Sequence, residues 1–384
     1  MASQRRPRSK AAAQRGLRAK RAAVVHFASA RVRRLSADDT LPAKFQRMLE
    51  QADLKAMFDD QRVAIKMHVG GHLGYTTVHP LFVRQLVAAV KKAGGSPFLT
   101  DGSFAVAGAV TRGYTQEVLG APIYPIGGSQ DKYYYPRPIG YRGLEKVHIA
   151  GNIADADAMI VLSHAKGHGQ CGFGGAIKNI AMGCVTEETR GWIHALMDTE
   201  FRWNAEACTH CYVCRENCPG GAISFNDKDE FRVFSHHCRY CMHCVDSCPA
   251  DAITIDLEGT RYFQNGMART VKAVLDGFEK KRVYYITVLL NITPLCDCWG
   301  FTTPNLVPDI GIMASDDIVA IEQASIDSID AKNYIPGSLP EQVQMSEGDG
   351  HLLQRIWAKD PYLQVEAAAG LGLGSRNYQL AEIE

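Results

Sequence analysis

Eight of the twelve cysteines fall into two copies of one spacing. Cys208-x2-Cys211-x2-Cys214-x3-Cys218 is followed at once by Pro219, and thirty residues on the run returns as Cys238-x2-Cys241-x2-Cys244-x3-Cys248 with Pro249. Thiolates are soft ligands. Three of them two residues apart wrap a loop around one iron–sulfur cube, while the fourth, at the start of the next helix, reaches across to the other cube. The spacing therefore predicts two 4Fe–4S clusters, one on Cys208, Cys211, Cys214 and Cys248, the other on Cys238, Cys241, Cys244 and Cys218. Pro219-Gly-Gly-Ala-Ile is echoed by Pro249-Ala-Asp-Ala-Ile, so the repeat extends beyond the thiols, on the pseudo-twofold plan of a bacterial-type dicluster ferredoxin. Zinc is the competing reading, but zinc sites usually group two Cys-x-x-Cys pairs rather than a triple run closed by proline. Such clusters move single electrons, or serve structural or sensory ends, and by themselves name no reaction.

A second set of chemistry-bearing residues gathers at two glycine-rich junctions. The first is Gly70-Gly71-His72-Leu73-Gly74, and the second runs from Gly167 through Cys171 to Gly174 and Gly175, preceded by His164, Lys166 and His168 and followed by Lys178. Glycines there would let backbone amides approach an anion, and the following helix N-terminus would add positive potential. His164, Lys166, His168 and Lys178 would make the second junction a cationic pocket for a carboxylate or phosphate, with Lys166, His168 or Lys178 also able to deliver a proton. The competing reading is tight turns and solvated loop residues. Cys171, Cys184, Cys296 and Cys298 stand outside the cluster pattern. In Cys296-Asp297-Cys298 an extended backbone would put both thiols on one side, so the four leave open a third metal site, a redox-active thiol set or inert buried thiols.

These groups need a frame, and the flanking chain alternates strand and helix as an open doubly wound, mostly parallel α/β sheet does. Strands are expected at 23–27, 63–69, 97–100, 158–163, 283–291 and 311–314, and helices at 41–52, 80–93, 175–182, 262–280 and 316–328. The ferredoxin-like α+β module, 203–257, interrupts one α/β domain made of 23–202 and 258–384. Gly370-Leu-Gly372-Leu-Gly374 resembles a dinucleotide fingerprint but follows a helical stretch and precedes a strand, the reverse of the order that fingerprint needs, so it reads as a helix C-cap and turn. With no nucleotide motif, electrons are expected from a protein partner.

The 46% hydrophobic and 22% charged composition is that of a globular protein able to bury a sizeable core. The net charge of +1 hides an asymmetry: the first 22 residues carry eight basic side chains and no acid, leaving about −7 on the rest. This segment reads as a disordered basic arm, and nucleic-acid binding is not expected. Only Ala11 to Ala13 follow Arg5-Arg6, where an export signal needs roughly 7–15 apolar residues. The longest apolar run, Val283 to Ile292, is far short of the roughly 20 residues of a spanning helix. The expected location is the cytoplasm, with no membrane partner.

Four stretches carry a resemblance. Val63-Ala-Ile-Lys-Met-His-Val-Gly-Gly, Lys166 through Gly172-Phe-Gly-Gly-Ala-Ile-Lys178-Asn179 to Cys184, Thr293-Pro-Leu-Cys-Asp-Cys298 and Pro308-Asp-Ile-Gly-Ile resemble the domain-of-unknown-function 362 family over nearly all of the chain beyond residue 22. The resemblance implies an iron–sulfur protein with an inserted ferredoxin module and no established substrate. The expectation is a reductase fed by ferredoxin or a similar redox partner, acting on an anionic small molecule. The alternatives are a non-enzymatic electron carrier or redox sensor that docks a partner protein, and a non-redox transferase or racemase with structural clusters.

Overall fold

The computed structural model of the 384-residue chain describes residues 22–71, 74–197, 199–234, 237–279, 282–300 and 302–384. The basic arm through residue 21, His72 of the first glycine junction and the expected helix end at Lys280 lie outside the described residues.

An eight-stranded sheet forms the body. From one edge to the other it runs Tyr378–Glu382, Ala23–Ser29, Gly311–Ser315, Val283–Leu289, Ala158–His164, Arg62–Met67, Ser96–Asp101 and Ile123–Pro125. All neighbours are parallel except Gly311–Ser315, which runs antiparallel to both of its neighbours. Every residue of Ala158–His164 and Val283–Leu289 is buried. Central strands covered on both faces read as continuous apolar runs, which is why these two were legible.

Helices cover both faces. Leu41–Gln51 and Pro80–Lys92 pack on one; the second starts with Pro at its first turn and buries Phe82, Val83, Leu86, Val87 and Val90, a single helical stripe. Ala176–Gly183, Glu258–Leu275 and Ile318–Asp327 pack on the other. The long helix begins and ends four or five residues earlier than expected, because Val274 is its last buried position and Asp276-Gly277 follows. Among the elements missed are the edge strand Ile123–Pro125, the helix Glu187–Ala195 and the antiparallel hairpin Tyr134–Tyr141 with Leu144–Ala150. The hairpin is the longest of them. Its Pro136 and Pro138 argue against a strand, but the first arm is exposed along most of its length, where a missing ladder N–H is tolerated. Among the described residues no helix is long and apolar enough to cross a membrane.

The cysteine segment makes two small sheets of its own. Phe201–Trp203 pairs antiparallel with Ile253–Ile255, and Ile223–Phe225 with Phe231–Val233, around a core of Cys214, Ile223, Cys244 and Ile253. The first pairing draws Phe201 and Arg202 into the segment, two residues before the expected boundary. Its internal repeat reaches the backbone. His210, Tyr212 and Gly221 have positive φ, and so do Tyr240, Met242 and Asp251, each thirty residues on. A left-handed non-glycine residue costs on the order of 1–3 kcal/mol. Five of them at matching places mark backbone bent to aim something inward.

Candidate functional site

The sheet has a switch point between Arg62–Met67 and Ala158–His164. From the first, the chain proceeds through Pro80–Lys92 on one face to Ser96–Asp101; from the second, through Ala176–Gly183 on the other face. Loops leaving in opposite directions open a crevice at the carboxyl ends of the strands, where open α/β sheets bind ligands. The crevice is a cavity of about 540 Å³. Gly70, Gly71, His164, Lys166, His168, Gly174, Gly175 and Lys178 all line it, as do Cys296 and Cys298; Gly74 does not.

The cavity is less cationic than its lysines suggest. The Asp297 carboxylate takes His164 Nδ1 at 2.9 Å and the Lys166 ammonium, while His164 Nε2 donates to the Leu290 carbonyl at 2.7 Å. Burial would raise Asp297, but Lys166 and His164 hold it well below the usual carboxylate range. A second pair lies across the crevice: Lys66 donates to Asp101 and to Asn179, both at 2.9 Å, and His68 Nδ1 meets the other Asp101 oxygen at 2.8 Å. Asp101 is likewise held low by Lys66 and His68 against the effect of burial. Burial and the neighbouring Lys178 push His168 down, so it is neutral near pH 7. Its Nδ1 accepts the Gln170 N–H at 3.2 Å, which leaves the ring proton on Nε2. Lys178 is half-buried, and its ammonium points at Cys296 Sγ, 3.9 Å away.

Two of the glycines make room for a neighbouring loop. A Cβ on Gly71 would stand 2.6 Å from the Gly300 nitrogen, and one on Gly167 would stand 2.3 Å from the Pro294 carbonyl oxygen. The Gly71 N–H donates to Asp297 O and the Gly167 N–H to Thr293 O, both at 2.8 Å. The 293–300 loop thus lies across both junctions and delivers Cys296 and Cys298 to the cavity, while Asp297 pairs with His164 and Lys166 of its wall. The helix N-terminus is also taken, since the Glu322 carboxylate accepts from Ala176 N at 2.7 Å and Ile177 N at 3.2 Å.

Burial pushes the Glu322 carboxyl up to about 8 against the pull of those two amides. A carboxyl raised in the folded state contributes stability fully present below its unfolded value of 4.5 and lost as pH rises through about 8. Urea denaturation should therefore show Glu322→Gln gaining on the parent protein between pH 5 and pH 8, by on the order of a few kcal/mol. A difference that stays flat across that window would show the two amides outweighing burial.

The other four cysteines do not act as one set. Cys184 sits at the end of Ala176–Gly183 and Cys171 against His168 Nδ1 at 3.3 Å; neither lines the cavity, and burial pushes both thiols up to about 12. Cys296 keeps extended backbone as the N-cap of the 3-10 turn Asp297–Trp299, and Cys298 lies within that turn, with its N–H donating to Cys296 Sγ at 3.4 Å. The hydrogen bond from the Cys298 thiol, with Lys178 and Lys166 nearby, holds Cys296 well below the ordinary thiol range despite its burial. Cys298 is exposed and its thiol is raised by the same hydrogen bond.

In the cysteine segment two further cavities form. Cys208, Cys211, Cys214 and Cys248 line one; Cys218, Cys238, Cys241 and Cys244 line the other. Backbone N–H groups of Ala222, Tyr240 and Ala252 donate to Cys218, Cys238 and Cys248 at 3.2–3.3 Å. None of the eight is in a disulfide. The second cavity lies toward the body. Arg239, beside Cys238, has its Cδ 3.0 Å from where a Cβ on Gly169 would stand, and its guanidinium lies 3.6 Å from the Trp299 ring centroid. Lys359, fully buried, donates to the carbonyls of Arg239 and Tyr240 and anchors the loop from below.

Several of these residues were not singled out for the site from sequence. Lys66 had a signal, a lone charge inside the apolar strand Val63 to Met67; Arg190 and His194 come to the wall from a helix that carries no motif. Arg112 ties down the first junction through the carbonyls of Val69, Gly70 and Gly71.

A switch-point cavity whose wall is shared by a loop laid over glycines defines an open α/β protein with a cysteine segment seated beside that cavity. The chain belongs to the family described as domain of unknown function DUF362, whose model matches residues 63–327. Among solved structures, the lactate racemase apoprotein from Thermoanaerobacterium thermosaccharolyticum is 12% identical with a TM-score of 0.34, over 70% of this chain and 51% of that one. A structural-genomics protein from Thermotoga maritima is 12% identical with a TM-score of 0.35, over 66% and 50%. The chain spans about half the length of each. No curated protein matches the sequence.

Proposed function

We propose that the chain is an iron–sulfur oxidoreductase that exchanges electrons between a redox partner of the ferredoxin type and an anionic small molecule in the switch-point cavity. Two 4Fe–4S clusters, one on Cys208, Cys211, Cys214 and Cys248 and one on Cys218, Cys238, Cys241 and Cys244, would supply single-electron transfer. The donor sets suit them: each is four thiols around an apolar cavity, with amides aimed at sulfur, and the left-handed residues beside the middle cysteine of each run bend the loop around that space.

The observation that carries the reading is the position of Arg239. It leaves the Cys238 loop and packs against Gly169 and Trp299, so one thiol set abuts the wall that holds His168 while Cys211 of the other set is exposed. At the cavity, Lys178 and Arg190 provide positive charge for an anionic substrate, and the neutral His168 in the wall offers it a hydrogen bond. Asp297 holds Lys166 and His164 in place.

Protein purified without oxygen should hold about eight iron and eight sulfide per chain and show interacting S = 1/2 signals after dithionite reduction. Zinc without iron would end the reading.

A further inference from the structure

We propose that Cys296 and Cys298 form a thiol–disulfide couple that reduces a low-molecular-weight disulfide inside the cavity; for its electron supply this rests on the reading above. Both thiols line the cavity, and the Cys298 N–H already bonds Cys296 Sγ. The chain turns directly after Cys296 into the 3-10 turn Asp297–Trp299, which folds Cys298 back toward the Cys296 sulfur that its own N–H reaches. Lys178 stands 3.9 Å from Cys296 Sγ, the place for a counter-ion to a nucleophilic thiolate. Arg239 lies between the two thiol sets, and its charge feels Cys298 as well as Cys238, Cys241 and Cys218. A cavity of about 540 Å³ admits a small molecule rather than a protein disulfide, and Lys178 with Arg190 favours one bearing carboxylates.

The step balances as follows. A Cys296–Cys298 disulfide takes two electrons, one at a time, from a one-electron donor of the ferredoxin class, with two protons, and opens to the dithiol. The Cys296 thiolate attacks one sulfur of the substrate R–S–S–R, forms a mixed disulfide and expels the first R–S⁻. Cys298 then attacks Cys296 Sγ, restores the internal bond and releases the second R–S⁻. The two protons of the dithiol end on the two product thiols. Cys171 and Cys184, buried and with thiols pushed up to about 12, are internal controls that should stay inert.

The test uses the full chain, reduced with dithiothreitol, desalted without oxygen and exposed to oxidised glutathione, with thiols mapped by alkylation and mass spectrometry. The expected result is a Cys296–Cys298 disulfide, alkylatable Cys171 and Cys184 after unfolding, and release of two glutathione thiols per chain. Cys298→Ser, a change at an exposed position, should trap glutathione on Cys296. In Lys178→Ala, alkylation of Cys296 at pH 7 should slow by about tenfold and its pH profile should move upward. Cys296 and Cys298 both remaining free, or Cys298→Ser carrying no glutathione on Cys296, overturns the proposal. Iron and sulfide measured on the same sample keep the two readings apart. Iron-replete protein that forms no bond overturns the couple alone; iron-free protein that forms it supports the couple and removes the electron source.

Discussion

Cys218→Ser should cost about half of the iron, about four of eight atoms per chain, and the loss should fall on the set in the other cysteine run. Cys218 belongs in sequence with Cys208, Cys211 and Cys214, yet its side chain lines the cavity of Cys238, Cys241 and Cys244. Its removal should leave those three open to alkylation while Cys208, Cys211, Cys214 and Cys248 stay protected, which mass spectrometry of the alkylated protein reads directly. Because the emptied set is the one beside Arg239 and Gly169, reduction of any cavity substrate should fall by at least about a hundredfold although half of the iron remains. Loss of protection at Cys208, Cys211 and Cys214 instead would show that each run serves its own set and would undo the crossed arrangement.

Lys178→Ala should lower turnover by about 10²–10⁴-fold while the iron content and the reduced-state EPR signals stay at the parent level. The lysine lies on Ala176–Gly183, none of the eight cluster thiols lines its cavity, and among the described residues no carboxylate pairs with it. Its ammonium stands against Cys296, and against the effect of burial the negative charge of that sulfur holds its proton more tightly. Lys178→Met keeps more of the apolar stem and should fail in the same way, which separates loss of charge from loss of packing. Electron transfer to a partner protein that survives both substitutions would favour a carrier over an enzyme.

Much of the frame was legible because its physics is local. Val63 to Met67 and Ala158 to Ser163 are apolar runs of strand length bounded by polar or glycine-rich segments, and Pro80 to Ala93 repeats its large apolar side chains at helical spacing. The hairpin at Tyr134–Tyr141 was not legible, since two prolines remove the pattern by which strands are read and its pairing depends on Leu144–Ala150 beside it. The antiparallel run of Gly311–Ser315 was equally hidden: strand direction is set by how the 290–310 loop returns, not by the strand's own residues.

The site divides along the same line. The sequence by itself supplied the eight cysteines in two runs of one spacing, which the fold gathers four and four around two cavities, and it placed Lys166, His168 and Lys178 together because a strand end and the next helix start must be neighbours. Only the tertiary structure decided what those residues face. Asp297, 131 residues from Lys166, neutralises it; Glu322 caps the helix N-terminus that an anion would otherwise use; and Gly71 and Gly167 make room for the 293–300 loop. Each of these contacts joins segments far apart in the chain. Long-range packing selects them, and no local spacing records it.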